Sequence, residues 1–202
     1  IIGGGFTFVN GTPRKNLARL SDNGAIDLSF DPGSLINSGS PTEIIVQADN
    51  KILVSGVRNT AVPDWRGIVR LNSDGTRDTT FNVVLNTQTP DIELQPDQKI
   101  FAAGSISSVN GQPVAGLARI NPDGTLDTTF TGQIAISGVS TATIQQHGNY
   151  LVGGTFLSVG SFFRQGIARF LNGGSLDVEM FDGHVHDGAI KRLWSLPGGR
   201  IL

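Results

Sequence analysis

Residues 116–130, GLARINPDGTLDTTF, are written four times in this chain. The counterparts are NLARLSDNGAIDLSF at 16–30, GIVRLNSDGTRDTTF at 67–81 and GIARFLNGGSLDVEM at 166–180. Their arginines, Arg19, Arg70, Arg119 and Arg169, stand 51, 49 and 50 residues apart. Eight residues after each arginine comes an aspartate: Asp27, Asp78, Asp127 and Asp177. Self-similarity at a period near 50 marks a repeat architecture.

An even offset across a hairpin leaves one residue at its centre, so the loop holds an odd number of residues. Three-residue loops use a type I turn followed by a residue at positive φ that forms a bulge. Gly24, Gly75, Gly124 and Gly174 supply that residue, and Pro122 suits the first turn position. In this register each arginine faces its aspartate across the hairpin, as a cross-strand pair in every repeat. Phe30, Phe81, Phe130 and Met180 occupy one further repeated position at the end of the segment.

A second block precedes each of these returns: IIVQADNKILVSG at 44–56, IELQPDQKIFAAG at 92–104, TIQQHGNYLVGG at 143–154 and RLWSLPGGRIL at 192–202. It reads as another hairpin, with Asn50, Gly148 and Gly199 at the positive-φ position and Gln98 as a departure. One unit is therefore strand A, tight turn, strand B, longer loop, strand C, tight turn, strand D and a variable connection onward. The approximate repeat units are 1–51, 52–99, 100–149 and 150–200. Four antiparallel strands cannot bury both faces alone, so each unit must stack on its neighbours. Radially stacked four-stranded units are the blades of a propeller, whereas solenoid coils are shorter and lack two hairpins per repeat. The expected fold is all-β: a β-propeller of four-stranded antiparallel blades, forming one domain or part of a larger one. The first residues, Ile1-Ile2-Gly3-Gly4, and the last, Ile201-Leu202, both align with strand B, so a piece of a longer array is expected.

The pattern N-x-D-G-T-x-D-T-T-F, followed by Q-P-D-x-K-I and a glycine, appears at 72–81, 95–104 and 121–130. It resembles the delta-60 repeat family, bacterial propeller-like repeats of large secreted or surface proteins. The fourth copy departs, with LNGGSLDVEM replacing the Asp-Gly turn and the Thr-Thr-Phe ending. The resemblance implies a repeat architecture and an extracellular or cell-surface location in a bacterium. It implies no catalytic residues.

Composition narrows the function further. The formal net charge is −2 and only 16% of residues are charged, so the basic footprint of a nucleic-acid surface is missing. No apolar run is long enough to span a membrane as a helix. Cysteine is absent, which removes disulfides and thiolate metal sites. The Asp-Gly turns are read as hairpin turns in preference to calcium loops, because carboxylates at alternating positions and a distal glutamate are missing. Gly3-Gly4-Gly5 and Gly153-Gly154 are not phosphate loops, because no helical pattern follows them.

What the repeat does not explain sits in the variable connections. Trp65 and Arg66 (with Asp64) lie in one B–C loop, and Phe162, Phe163 and Arg164 in another. The aromatic side chains could serve as sugar-stacking platforms or pack on neighbouring repeats. His184 and His186, with Asp182 and Asp187, have the donor types of a zinc site, but a polar inter-repeat loop is the reading preferred and no metal is expected. Alternation along antiparallel strands sends the tight A–B and C–D turns to one end and the variable connections to the other. Ligand contacts are therefore expected at the variable end, from Trp65, Arg66, Phe162, Phe163, Arg164 and His184. The function expected is a non-enzymatic binding or structural module with a protein or glycan partner and no cofactor. A lectin-like propeller and an enzyme with loop-borne catalytic residues are the alternatives.

Overall fold

The computed structural model describes residues 1–58, 66–87, 91–130, 136–180 and 188–202, and for Arg66 the backbone alone. Every sheet pairing is antiparallel, and the one helical element among the described residues is a 3₁₀ turn at Gln146–Gly148. No helix there is long and apolar enough to cross a membrane. The chain divides into two compact bodies, Ile1–Thr89 and Pro90–Leu202.

In the first body, strand Ile52–Arg58 is central. It pairs with Ile44–Val46 and Ser38–Gly39 along one edge and with Arg66–Leu71 along the other. Ile2–Gly3 and Leu17–Ala18 form the corresponding pair of the first repeat. The core gathers Leu17, Phe30, Ile36, Ile52, Val54, Val57, Val69 and Leu71. In the second body, two three-stranded sheets repeat the same order. One is Asp91–Leu94, Ile100–Ala103 and Leu117–Ile120; the other is Val139–Ile144, Tyr150–Gly154 and Ile167–Phe170. All residues of Ile100–Ala103 and Leu117–Ile120 are buried, so both sheet faces are covered, as stacking requires. Tyr150 stacks on Phe101 with ring centroids 4.1 Å apart, and Phe130 meets both rings edge-on.

The hairpin turns follow the sequence register. Gly24, Gly75, Gly124 and Gly174 have φ of 81°, 94°, 92° and 97°. In the A–B turns Asn50 and Gln98 take φ of 64° and 66°, so Gln98 adopts the same conformation without an asparagine or glycine side chain. All four arginine–aspartate pairs form, with Nε to Oδ2 distances of 2.8, 2.7, 2.7 and 2.8 Å. The other aspartate oxygen accepts from the residue two further on: Thr80 and Thr129 each donate both backbone N–H and hydroxyl. Arg19, Arg70 and Arg119 lie 5.0, 4.8 and 5.2 Å from the ring centroids of Phe30, Phe81 and Phe130. The guanidinium also reaches the next repeat. Arg19 donates to the Ser73 carbonyl, and Arg119 donates to that of Asn172 at 2.8 Å. One arginine thus closes its own hairpin, covers its own phenylalanine and fixes the neighbouring turn.

Strand D does not form as a strand. After each C–D turn the pairing is a single bridge: Leu20 with Ile26, Leu71 with Arg77, Ile120 with Leu126 and Phe170 with Leu176. The cause is the aspartate that follows. Its side chain captures the N–H two residues later, bending the backbone into a turn instead of a ladder.

Candidate functional site

Three of the B–C connections, those whose residues are all described, are hairpins rather than open loops. Phe8–Val9 pairs with Thr12–Pro13, Ser108–Val109 with Gln112–Pro113, and Ser158–Val159 with Phe162–Phe163. Asn10 and Gly11 have φ of 49° and 77°, and Asn110 and Gly111 have 50° and 78°. Two central residues at positive φ make a type I′ turn, for which Asn-Gly is the favoured pair.

These hairpins do not project from the far end. The Asn10 side-chain amide donates to the Gly24 carbonyl at 3.2 Å, and Asn110 donates to Gly124 at 2.9 Å. Each tip has therefore folded back onto its own C–D turn. At the hairpin base, Arg14 pairs with Asp31 at 3.2 Å and Arg164 donates to the Val178 carbonyl at 2.7 Å. The hairpin is thus tied at its tip and base to the C–D turn and the segment that follows it, where strand D was expected. Val159 and Phe156 of the fourth hairpin pack into the same core as Leu176. The expectation of variable connections at one end and tight turns at the other fails for these hairpins. The turn-back of the B–C ladder is the physical reason.

Glycines make the turn-back possible. Gly104 donates to Gly116 at 3.0 Å and Gly116 to Ile106 at 2.8 Å, with Gly116 at φ 92°. A side chain on Gly116 would strike the Ile136 carbonyl, and one on Gly154 would strike that of Gly138. Where the ladder bends, a groove opens twice. The larger, about 390 Å³, runs along Gly104–Ser107, Val114–Gly116, Ile136, Ser137 and Ser158. The smaller, about 210 Å³, uses Gly154–Leu157, Gln165, Gly166, Gly188 and Ala189. Gly104 and Gly154, Ser105 and Thr155, Ile106 and Phe156, and Gly116 and Gly166 are equivalent pairs, each 50 residues apart. Among the described residues, neither groove is lined by an ionisable side chain.

A repeat of this construction has a family counterpart. The model described as "Domain of unknown function (DUF5122) beta-propeller" matches residues 1–30, 47–81, 95–130 and 145–179. The chain belongs to this family. No curated protein shows a significant match to it. In these β-propeller repeats, each match ends at or one residue before the Phe or Met position after the arginine–aspartate pair, and the B–C hairpins fall inside three of the matches.

The candidate residues read from the DUF5122 chain's sequence fare differently. Trp65, His184, His186 and Asp187, with Asp64 and Asp182, lie outside the described residues. Arg66 begins the strand Arg66–Leu71, and its side chain is likewise outside them. Phe162 and Phe163 are exposed on the fourth hairpin, at 42% and 60%. Arg164 is only 4% exposed: it donates to the Phe163 and Val178 carbonyls, with its guanidinium 6.0 Å from the Phe162 ring centroid. These bonds tie the base of the hairpin to the segment after the C–D turn. Among the described residues, no three His, Cys, Asp or Glu side chains gather as a metal site would require. His147 is exposed in its A–B turn.

The charged groups inside the repeats have structural partners. Burial works to raise the pKa of Asp127, but hydrogen bonds from Lys99, Thr129 and Arg119 outweigh it and hold the carboxyl well below the ordinary range. Asp78 behaves alike, with Lys51, Thr80 and Arg70 as its donors. These carboxylates stay ionised and fully bonded, which suits a framework and not proton transfer. The grooves were missed from the sequence because serine, glycine and alanine carry no local signal of a site. The recurring glycines at 104 and 154 were the available clue.

Proposed function

We propose that this chain is a non-enzymatic binding module built from delta-60-type repeats, each a propeller blade of about 50 residues whose fourth strand is reduced to a bridge. Its place is in a secreted or cell-surface bacterial protein, with a protein or glycan of that surface as partner. The observation that carries the proposal is the recurring groove: the same bend opens at equivalent positions in the third and fourth repeats, with different side chains around it. A rigid, repeated scaffold with changeable grooves is how binding repeats take varied ligands.

The test is capture of the purified chain on arrays of bacterial surface glycans and peptides, with the same ligands assayed for turnover. Capture without turnover, weakened by changes around Gly104–Ser107 and Ser158, is the expected result. Turnover of a captured ligand, or capture lost only when Asp74 or Asp123 of the tight turns is changed, would refute the proposal. The location is tested separately, by protease shaving of intact bacteria that express the protein.

A further inference from the structure

The larger groove has walls of three origins within the second body. Gly104–Ser107 and Val114–Gly116 come from the bend of the third repeat, Ile136 and Ser137 from the connection that follows, and Ser158 from the fourth hairpin. Four serines, Ser105, Ser107, Ser137 and Ser158, place hydroxyls around it, while the side chains of Ile106, Val114 and Ile136 are buried beneath. A hydroxyl both donates and accepts, so such a rim matches a ligand that itself presents hydroxyls. Among the described residues the lining has no charge, and the adjoining sequence Thr131-Gly132-Gln133-Ile134-Ala135 has no ionisable residue. A phosphate, carboxylate or ammonium group would find no counter-charge in these walls.

The fourth hairpin carries an aromatic residue directly across from the lining residue Ser158. Ser158 pairs directly with Phe163, and directly opposed residues project from the same face of the ladder. At the equivalent positions Phe8 pairs with Pro13 and Ser108 with Pro113. The hairpin therefore forms with proline at this site, and the fold does not need a phenylalanine there. Phe162 leans toward the Arg164 guanidinium, whereas Phe163 is 60% exposed and shows no such contact. The ring is thus not required by the hairpin and stands open to solvent on the Ser158 face, where an aromatic can stack on a ligand.

We infer that this groove binds a neutral oligosaccharide, with hydroxyls held by the serine rim, the CH face of one sugar against the apolar floor and another stacked on Phe163. The inference rests on the binding role proposed above and narrows it to one ligand class. The volume of about 390 Å³ falls within the range of small-ligand sites.

The experiment titrates the full chain, isotope-labelled, with short neutral oligosaccharides from cellulose, chitin and starch, followed by amide NMR. Parallel titrations use a sialylated oligosaccharide and a neutral valine- and isoleucine-containing tripeptide. The expected result is that at least one neutral sugar shifts the Ser105–Ser107, Val114–Gly116 and Ser137 amides. Phe163→Ala should then weaken that binding roughly three- to tenfold, with the unfolding midpoint unchanged. Shifts confined to other surfaces, or a groove occupied only by the peptide or the charged sugar, overturn the neutral-glycan inference and leave a binding role standing. A groove that no probe shifts overturns both.

Discussion

Replacing Asp127 with alanine removes the charge that the third repeat is built around. The carboxylate is 5% exposed and has four donors: Arg119 Nε at 2.7 Å, Lys99 Nζ at 2.8 Å, and the Thr129 N–H and hydroxyl at 3.0 and 2.6 Å. Truncation leaves the buried Arg119 cation without its counter-ion, a loss that costs about 3–5 kcal/mol in comparable sites. Two features favour the lower end. The Lys99 side chain is partly exposed and can return to water, and Arg119 keeps its bond to the Asn172 carbonyl. A loss of about 3 kcal/mol is expected, lowering the unfolding midpoint of the second body by roughly 12 °C at about 4 °C per kcal/mol.

The assay is urea and thermal unfolding followed by circular dichroism. Near-ultraviolet signal from Tyr150 reports the same core, since its hydroxyl lies 3.4 Å from Arg119 and its ring stacks on Phe101. The control is Asp27→Ala, which breaks the same pair in the first repeat, where both side chains are about a third exposed. Solvent screens that pair, so its loss should be much smaller. Asp127→Asn keeps an acceptor for Thr129 and should fall between wild type and alanine. Equal losses from Asp127→Ala and Asp27→Ala, or a cost below about 1 kcal/mol for the former, would refute the claim that burial gives the pair its weight.

Four further outcomes are expected. Asp27 is lowered from 3.8 to about 2, chiefly by hydrogen bonds from the Ser29 hydroxyl and Arg19, so it contributes stability above about pH 4 that is lost as pH falls toward 2. Asp78 and Asp127 extend that loss to lower pH, and an acid titration by circular dichroism should show no decline from these groups between pH 7 and 5. Gly173→Asp should stabilise the second body by about 1 kcal/mol in urea, because Asp74 and Asp123 at the equivalent turns each accept the N–H and hydroxyl of a threonine two residues on. Gly154→Ala should cost about 3 kcal/mol or prevent folding in a melting assay, since its Cβ meets the Gly138 carbonyl. Arg164→Ala should accelerate amide exchange across Ser158–Phe163 by freeing the hairpin base from Val178, while sheet amides at Tyr150–Gly154 stay protected.

The parts of the fold legible in the sequence are those fixed by local chemistry. The eight-residue offset between Arg119 and Asp127 gave the hairpin register because only that register brings opposite charges across the turn. The glycines of the turns are where φ is positive, and a glutamine at 98 adopts that conformation because the surrounding ladder imposes it. Strand D is not legible because Asp-Thr-Thr has the composition of a ladder's end, whereas its aspartate caps the N–H two residues on. Asn10-Gly11 and Asn110-Gly111 are also local hairpin signals, lying inside the variable B–C connections. That those hairpins fold back is another matter. It depends on carbonyls brought close by distant chain, such as Ile136 against Gly116, and no local pattern encodes that approach.

The candidate site was half legible for a reason the repeats themselves supply. Arg164 stands where the first repeat has Arg14 and the third has Val114, and all three are buried. A position that accepts valine points inward, so the arginine there serves the hairpin, bonding carbonyls with its head while its stem packs. One residue earlier, the same comparison gives Pro13, Pro113 and Phe163, all exposed. Proline cannot be selected for an outward hydrogen bond, and phenylalanine at that place adds only apolar surface. The two neighbours differ in charge and look alike as surface residues, yet the repeat separates them: where the copies agree on burial the side chain belongs to the framework. Where they are exposed and differ in chemistry, as at Phe163, the fold leaves the choice of side chain free.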